Sequence, residues 1–259
     1  MTLGQLQCSR DNGETPEQTV RIDRSANLLA SGESALDFLT NTTYSRIQVQ
    51  VAYAGSARPT DGALASLEAF LLQRTQKQEV IFELLPLPAT GEDELSLQQI
   101  AESENDNRTA YNEGSTLGLY IYFSDAFAEG ASEDQNSVTL GAVYRNTSMV
   151  IYQPGIRALA NRTVLISQEE LESATLMHEM GHLFGLVNLD PGLEADFPHQ
   201  QEDPQAGNHC AEDGCLMQAS LEFSASARKI MEQRVARGAA AVPELGPECL
   251  RGLASMGGR

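Results

Sequence analysis

Lysine is nearly absent from this chain. Only Lys77 and Lys229 stand among 17 basic residues, set against 36 acids, for a formal net charge of -19. Neutralising nucleic-acid phosphates needs clustered Lys and Arg, so sequence-independent nucleic-acid binding is excluded, and an anionic membrane surface is disfavoured for the same reason. There is no Trp and no run of 18 or more apolar residues, so no segment reads as a membrane-spanning helix. The acid excess fits either solvation in a salty medium or an ordinary acidic protein whose codon bias favours Arg, and both readings stay open. At 259 residues the chain can bury a real core without covalent staples.

The first eight residues lack the basic start and apolar stretch of an export signal. Cys8, followed by the polar run Ser9-Arg10-Asp11-Asn12-Gly13-Glu14, is a candidate lipid tether, although Gln7 stands where lipoprotein signals place a small residue. Residues 1–40 carry no sustained hydrophobic period and read as a flexible N-terminal segment. Residues 46–53 then alternate apolar and polar, the period of a half-buried strand. After Pro59-Thr60-Asp61-Gly62, the residues Leu64, Leu67, Phe70 and Leu71 recur at helical spacing up to Lys77. Further strands are expected over Glu79–Leu87, 116–123, 138–144 and Ser148–Tyr152, with a short helix at 97–101. Strands alternating with helices imply a mixed α/β layer with helices packed on a twisted sheet. A closing helix over 220–237, with Ser224 as its cap and Ile230, Met231 and Val235 on its apolar face, precedes a Gly-, Ala- and Pro-containing tail, 238–259, expected to be loosely ordered. The body of the fold is thus assigned to residues 41–237.

Ser167-Gln168-Glu169-Glu170 has the pattern of a capping box, and the acids suit the positive end of a helix dipole. The helix it opens contains His178-Glu179-Met180-Gly181-His182. Residues four apart share a helical face, so both imidazoles can reach one metal ion, and Glu179 is placed to hold a water at the metal's open position. A zinc ion there activates the water while the carboxylate takes its proton and passes it to a leaving amine. The structural alternative is a chance match on an ordinary helix.

The continuation, Leu183-Phe184-Gly185-Leu186-Val187-Asn188, resembles the metzincin extension, in which a Gly turns the chain towards a third ligand. The expected His or Asp is here Asn188, a poor zinc ligand. Downstream, His209-Cys210-Ala211-Glu212-Asp213-Gly214-Cys215-Leu216-Met217 is similar to the archaemetzincin segment in which the third ligand His is followed by Cys, four residues, Cys, one residue and the methionine of the Met-turn. The same stretch resembles bacterial membrane or lipoprotein-type metalloproteases. The resemblance implies an α+β zincin fold, with a twisted mixed sheet, an active-site helix and a smaller C-terminal subdomain. It also implies that Asn188 to Asn208 is an inserted loop, that His209 is the third zinc ligand with His178 and His182, and that Met217 forms an apolar floor beneath the metal. His199 competes as third ligand, with Asp190 and Asp196 as outsiders; otherwise His199 reads as a solvated loop residue or a substrate contact.

In archaemetzincins further cysteines complete a second metal site after the first pair. Only Cys249 remains downstream here, which argues against a four-cysteine zinc. Cys210 and Cys215 then form a disulfide if the protein is exported and stay free thiols if it is not, while a Cys8 to Cys249 pairing is left open. Zincins of this kind bind extended peptide along an edge strand; 138–144 is the candidate, and Gly141 within it marks a bulge or a close backbone approach. The expectation is a zinc metalloendopeptidase acting on a peptide or protein, monomeric and extracytoplasmic. The alternatives are a zinc amidase acting on a non-protein amide and a non-catalytic zinc-binding interaction protein.

Overall fold

The computed structural model describes residues 23–131, 138–189, 198–222 and 224–259. In chain order the elements are α1 (Ala35–Leu39), β1 (Arg46–Ala54), α2 (Asp61–Arg74), β2 (Glu79–Leu87), β3 (Glu94–Leu95), α3 (Leu97–Asn107), β4 (Thr116–Ser124), β5 (Phe127–Ala128), β6 (Gly141–Arg145), β7 (Ser148–Tyr152), α4 (Gln153–Ala160), α5 (Gln168–Leu183), α6 (Ser224–Ala236) and α7 (Pro247–Ser255). Five strands form one sheet in the order β2-β1-β4-β7-β6, while β3 and β5 pair separately. β2, β1, β4 and β7 run parallel, and only β6, at the edge, is antiparallel to its neighbour β7. This is a mixed α/β fold with a mostly parallel sheet.

Alternation along the strands divides the core. Ile47, Val49 and Val51 of β1 and Leu117, Leu119, Ile121 and Phe123 of β4 face one layer with Leu67 and Leu71 of α2 and Leu176 and Leu183 of α5. Ala52, Tyr120, Tyr122 and Val150 face the opposite layer with Ile100 of α3. Covered on both faces, β4 reads in sequence as a continuous apolar run. Pro86 is tolerated because β2 lies at the other sheet edge, where one backbone donor can be missing.

α5 is the best-anchored helix. Ser167 and Glu170 make both halves of the capping box. One turn on, the fully buried Glu172 accepts from Thr60 N (2.8 Å), Thr60 Oγ1 (2.6 Å), Gln153 Nε2 (2.8 Å) and Gln168 Nε2 (2.7 Å), tying α5 to the start of α2 and to α4. Four donors meet the need of a buried carboxylate, so this contact sets the helix position without an uncompensated charge.

Two segments expected to be loose belong to the core. Among residues 23–40, Asn27 is buried and donates to Asn112 Oδ1 (2.8 Å) and Thr147 Oγ1 (3.0 Å), and Phe38 packs edge-on against Phe184. At the other end, Leu245, Cys249, Leu253 and Met256 are buried, and Arg259 N donates to Arg74 O. Composition misled here. Pro247 in the first turn of α7 starts that helix rather than breaking a chain, and Cys249 and Leu253, four apart, supply its buried face. The expected boundaries at 40 and 238 therefore cut through packed structure.

Candidate metal centre

His178 and His182 project from one face of α5, with their Nε2 atoms 3.2 Å apart. His209 arrives from the loop beyond, its ring stacked on His178 at 5.4 Å and edge-on to His182 at 4.9 Å. The approach depends on Gly181. A Cβ there would lie 2.2 Å from Met217 Sδ, so only glycine lets the buried Met217 pack against the helix between the two histidines. The residues flanking these groups orient the rings. His178 Nδ1 donates to Leu216 O at 2.7 Å and His209 Nδ1 to Gly207 O at 3.0 Å, which turns the Nε2 atom of each ring inward. Burial pushes His178 down to about 4, and burial with the neighbouring imidazoles holds His182 well below the usual histidine range, so both are neutral donors near pH 7.

Glu179 lies on the same turn. Both its carboxylate oxygens are buried, and among the described residues neither makes a well-formed hydrogen bond, although the Val143 backbone amide lies near enough to oppose the rise in its pKa. Burial first, and the charge of Glu222 second, raise its pKa well above the usual carboxylate range. The edge strand β6 passes directly over it: a Cβ on Gly141 would meet Glu179 Oε1 at 2.8 Å and Thr175 Cγ2 at 2.8 Å. Gly141 is thus a site of close backbone approach, and the pairing of β6 with β7 slips between Val143 and Arg145.

A fourth donor in the centre had no signal in the sequence. Glu222, just after the 3-10 turn Ala219–Leu221, places Oε1 3.0 Å from His209 Nε2 and 4.0 Å from His182 Nε2. The ligand atoms of His178, His182, His209 and Glu222 all lie within 4.8 Å of one another. Burial alone would lower the His209 pKa, but the Glu222 carboxylate outweighs it and the net shift is upward.

His199 does not join this group. It is buried beside Cys249, with Nε2 3.3 Å from Cys249 Sγ, and so is neither a solvated loop residue nor a third ligand to the α5 pair. Asp190 and Asp196 lie outside the described residues. Asn188, which stands where a metzincin ligand is expected, ties the ends of the inserted loop together: its side chain donates to Glu202 Oε2 (2.7 Å) and accepts from His199 N (2.7 Å).

Around His199 lies a second cluster. Cys210, Cys215 and Cys249 are all free thiols, the second of the two states left open for Cys210 and Cys215, and Cys8 lies outside the described residues. Cys215 Sγ is 3.5 Å from Cys249 Sγ, and His199, Cys210 and Cys249 are close enough to share a cation. Amides are aimed at the sulfurs: Gly246 N (3.2 Å) and Met217 N (3.4 Å) at Cys215, and Glu212 N (3.4 Å) at Cys210. Hydrogen bonds from the neighbouring thiols and from these amides lower the Cys215 pKa, which favours a thiolate. The cysteine count argued against a four-cysteine site, and none is seen among the described residues; what the count did not anticipate is a histidine of the inserted loop, His199, beside the thiols.

No family model and no curated protein matches the chain. Among solved structures there is a likeness to an archaemetzincin. The crystal structure of archaemetzincin from Methanopyrus kandleri is 13% identical, and the match covers 82% of this chain and 96% of that one with a TM-score of 0.49.

Proposed function

We propose that the protein is a zinc-dependent metalloendopeptidase in which His178, His182 and His209 hold the zinc and Glu179 is the general base and then the general acid. One observation carries the reading: three imidazoles converge through Nε2 beside a buried carboxylate that makes no well-formed hydrogen bond among the described residues. Two carbonyls already fix the ligand tautomer of His178 and His209, which is how metal-binding histidines are prepared. When bound, zinc would polarise a scissile carbonyl and acidify a water. Glu179, with its raised pKa and dry surroundings, is suited to accept that water's proton and deliver it to the departing amine nitrogen. β6 is the edge strand next to Glu179 among the described residues, so an extended peptide can add to it as a further strand, and the absent Cβ of Gly141 keeps the carboxylate in place beneath that strand.

The test is hydrolysis of an unstructured protein by the zinc-loaded chain and by Glu179→Gln. Activity lost with zinc retained supports the reading. Full activity in the variant, or none in the parent, overturns it.

The sulfur cluster supports a second, structural zinc on His199, Cys210 and Cys249, with Cys215, which contacts Cys249, as the fourth ligand once the ion draws the set together. Tetrahedral zinc with bonds of about 2.3 Å to sulfur separates its sulfur ligands by about 3.7 Å, and Cys215 and Cys249 stand 3.5 Å apart. The Gln201 amide, 3.2 Å from His199 Nδ1, favours the tautomer that donates from Nε2 to Cys249; as a ligand the ring would carry its proton on Nδ1 instead.

One observation favours the non-catalytic alternative. Glu222 gives the α5 centre four protein donors, the number that closes a structural zinc site.

A further inference from the structure

We propose that Glu222 is an exchangeable fourth ligand of the α5 metal centre, bound through Oε1 in the resting protein and displaced when substrate or water takes its vertex. The proposal rests on the zinc reading above. Its first support is geometric. Bonds of about 2.0 to 2.1 Å in a tetrahedron put donor atoms about 3.3 to 3.4 Å apart. His178 Nε2 and His182 Nε2 are 3.2 Å apart, and Glu222 Oε1 is 3.0 Å from His209 Nε2 and 4.0 Å from His182 Nε2. Those separations bracket a tetrahedron edge, so the carboxylate oxygen occupies the fourth corner of the set rather than a shell outside it. A carboxylate that only oriented His209 would meet Nδ1, the nitrogen on the far side of the ring, but Gly207 O already takes that proton.

The second support is how loosely Glu222 is held compared with the imidazoles. Its side chain is 25% exposed, against 5% for His182 and 10% for His209. The histidines have carbonyl partners or helix packing behind them, whereas the described contacts of the Glu222 carboxylate are to the imidazoles of this centre alone. Its backbone, by contrast, is fixed: Glu222 O accepts from Leu140 N at 2.9 Å. The main chain is therefore pinned to the residue just before β6 while the side chain can rotate towards solvent. Rotation breaks no covalent bond and moves no proton or electron; one carboxylate oxygen leaves the vertex and a neutral oxygen ligand replaces it. The pin also gives the exchange a trigger, because a peptide laid along β6 acts on the strand that directly follows Leu140, the residue holding the Glu222 backbone.

This reconciles four protein donors with hydrolysis. A ligand that is one-quarter exposed and, among the described residues, held by no other group can yield its place, unlike a buried structural ligand.

The experiment is cobalt(II) substitution and zinc competition on the full chain, comparing the parent with Glu222→Gln and Glu222→Ala, each checked for native circular dichroism. The expected result is a change in the visible cobalt spectrum and in the coordination number read by X-ray absorption in both variants, with zinc affinity lowered about tenfold or more, since even outer-sphere partners cost 10- to 100-fold. Addition of acetate to Glu222→Ala should restore the parent spectrum. Unchanged spectra and affinity in both variants overturn the fourth ligand and leave the three-histidine centre standing. Absence of any cobalt spectrum at the α5 centre in the parent, identified by its insensitivity to His178→Ala, overturns the metal reading and the proposal together.

Discussion

The molecule places two histidine-containing clusters back to back, and they differ in every property that decides what a metal can do. The α5 centre is built of nitrogen and oxygen donors, keeps beside it a carboxylate that makes no well-formed hydrogen bond among the described residues, and lies under the edge strand β6. The sulfur cluster lies between the inserted loop and α7, with three buried thiols and backbone amides directed at two of them. The tautomers are controlled in opposite senses. Carbonyls take the Nδ1 protons of His178 and His209, whereas an amide points at Nδ1 of His199. The first arrangement turns nitrogen and oxygen donors towards one point beside a carboxylate; the second stabilises charge on sulfur. Under the proposed function, chemistry belongs to the first and cohesion to the second.

The comparison can be broken most severely at Glu179. Glu179→Gln should lower kcat/KM on an unstructured protein substrate by about 10²- to 10⁴-fold while bound zinc is unchanged; a variant that keeps its rate would make the two clusters alike in being structural. Next is Gly141→Ala. Its Cβ would come within 2.8 Å of Glu179 Oε1 and of Thr175, neither of which is a free surface group, so the carboxylate must shift. A displacement of about 1 Å costs on the order of 100-fold in rate, with little change in metal content. If rate and metal content both hold, the close approach of β6 has no catalytic meaning.

Metal analysis sharpens the contrast. Two zinc ions per chain are expected, falling to one in both Cys249→Ser and a His178→Ala, His182→Ala double variant. The Cys249 variant should lose about 10 °C or more in melting temperature, since a structural metal contributes several kcal/mol and each is worth about 2 to 4 °C in a domain of this size. The histidine variant should lose less, and equal losses would erase the division of labour. The smallest effect concerns substrate charge. The acids in the chain favour basic over acidic residues around the scissile bond by a few-fold, an effect that fades as salt rises. Cleavage-site mapping on a mixed peptide library checks it, and a preference for acidic sites refutes it.

The features legible in the sequence were those written in local spacing. Two histidines four apart on a capped helix, alternating strands and a glycine in the edge strand all carry their meaning within a few residues. The resemblance added His209, which the structure brings to within stacking distance of His178. What stayed hidden depends on contacts between distant parts of the chain. Nothing near Glu222 distinguishes it from other surface acids; it joins the three histidines because the turn after Met217 is tied to Leu140, just before β6. His199 and Cys249 are 50 positions apart and meet only through α7, a helix whose Gly-rich flanks disguised it. Asn27 likewise reads as a tail residue until Asn112 and Thr147 accept its amide.

His209 and Cys210 are consecutive, and their side chains serve different clusters. A single peptide unit, held by Cys210 N donating to Met217 O at 2.8 Å, is therefore a shared wall between the two chambers. A wall cannot be moved for one tenant only. Metal loss from the sulfur side would let the wall sag and carry His209 out of line, whereas an empty α5 centre leaves the wall braced from behind. The expected behaviour is a hierarchy of assembly: the sulfur chamber fills first, the reactive chamber second, and refilling after chelation follows the same order.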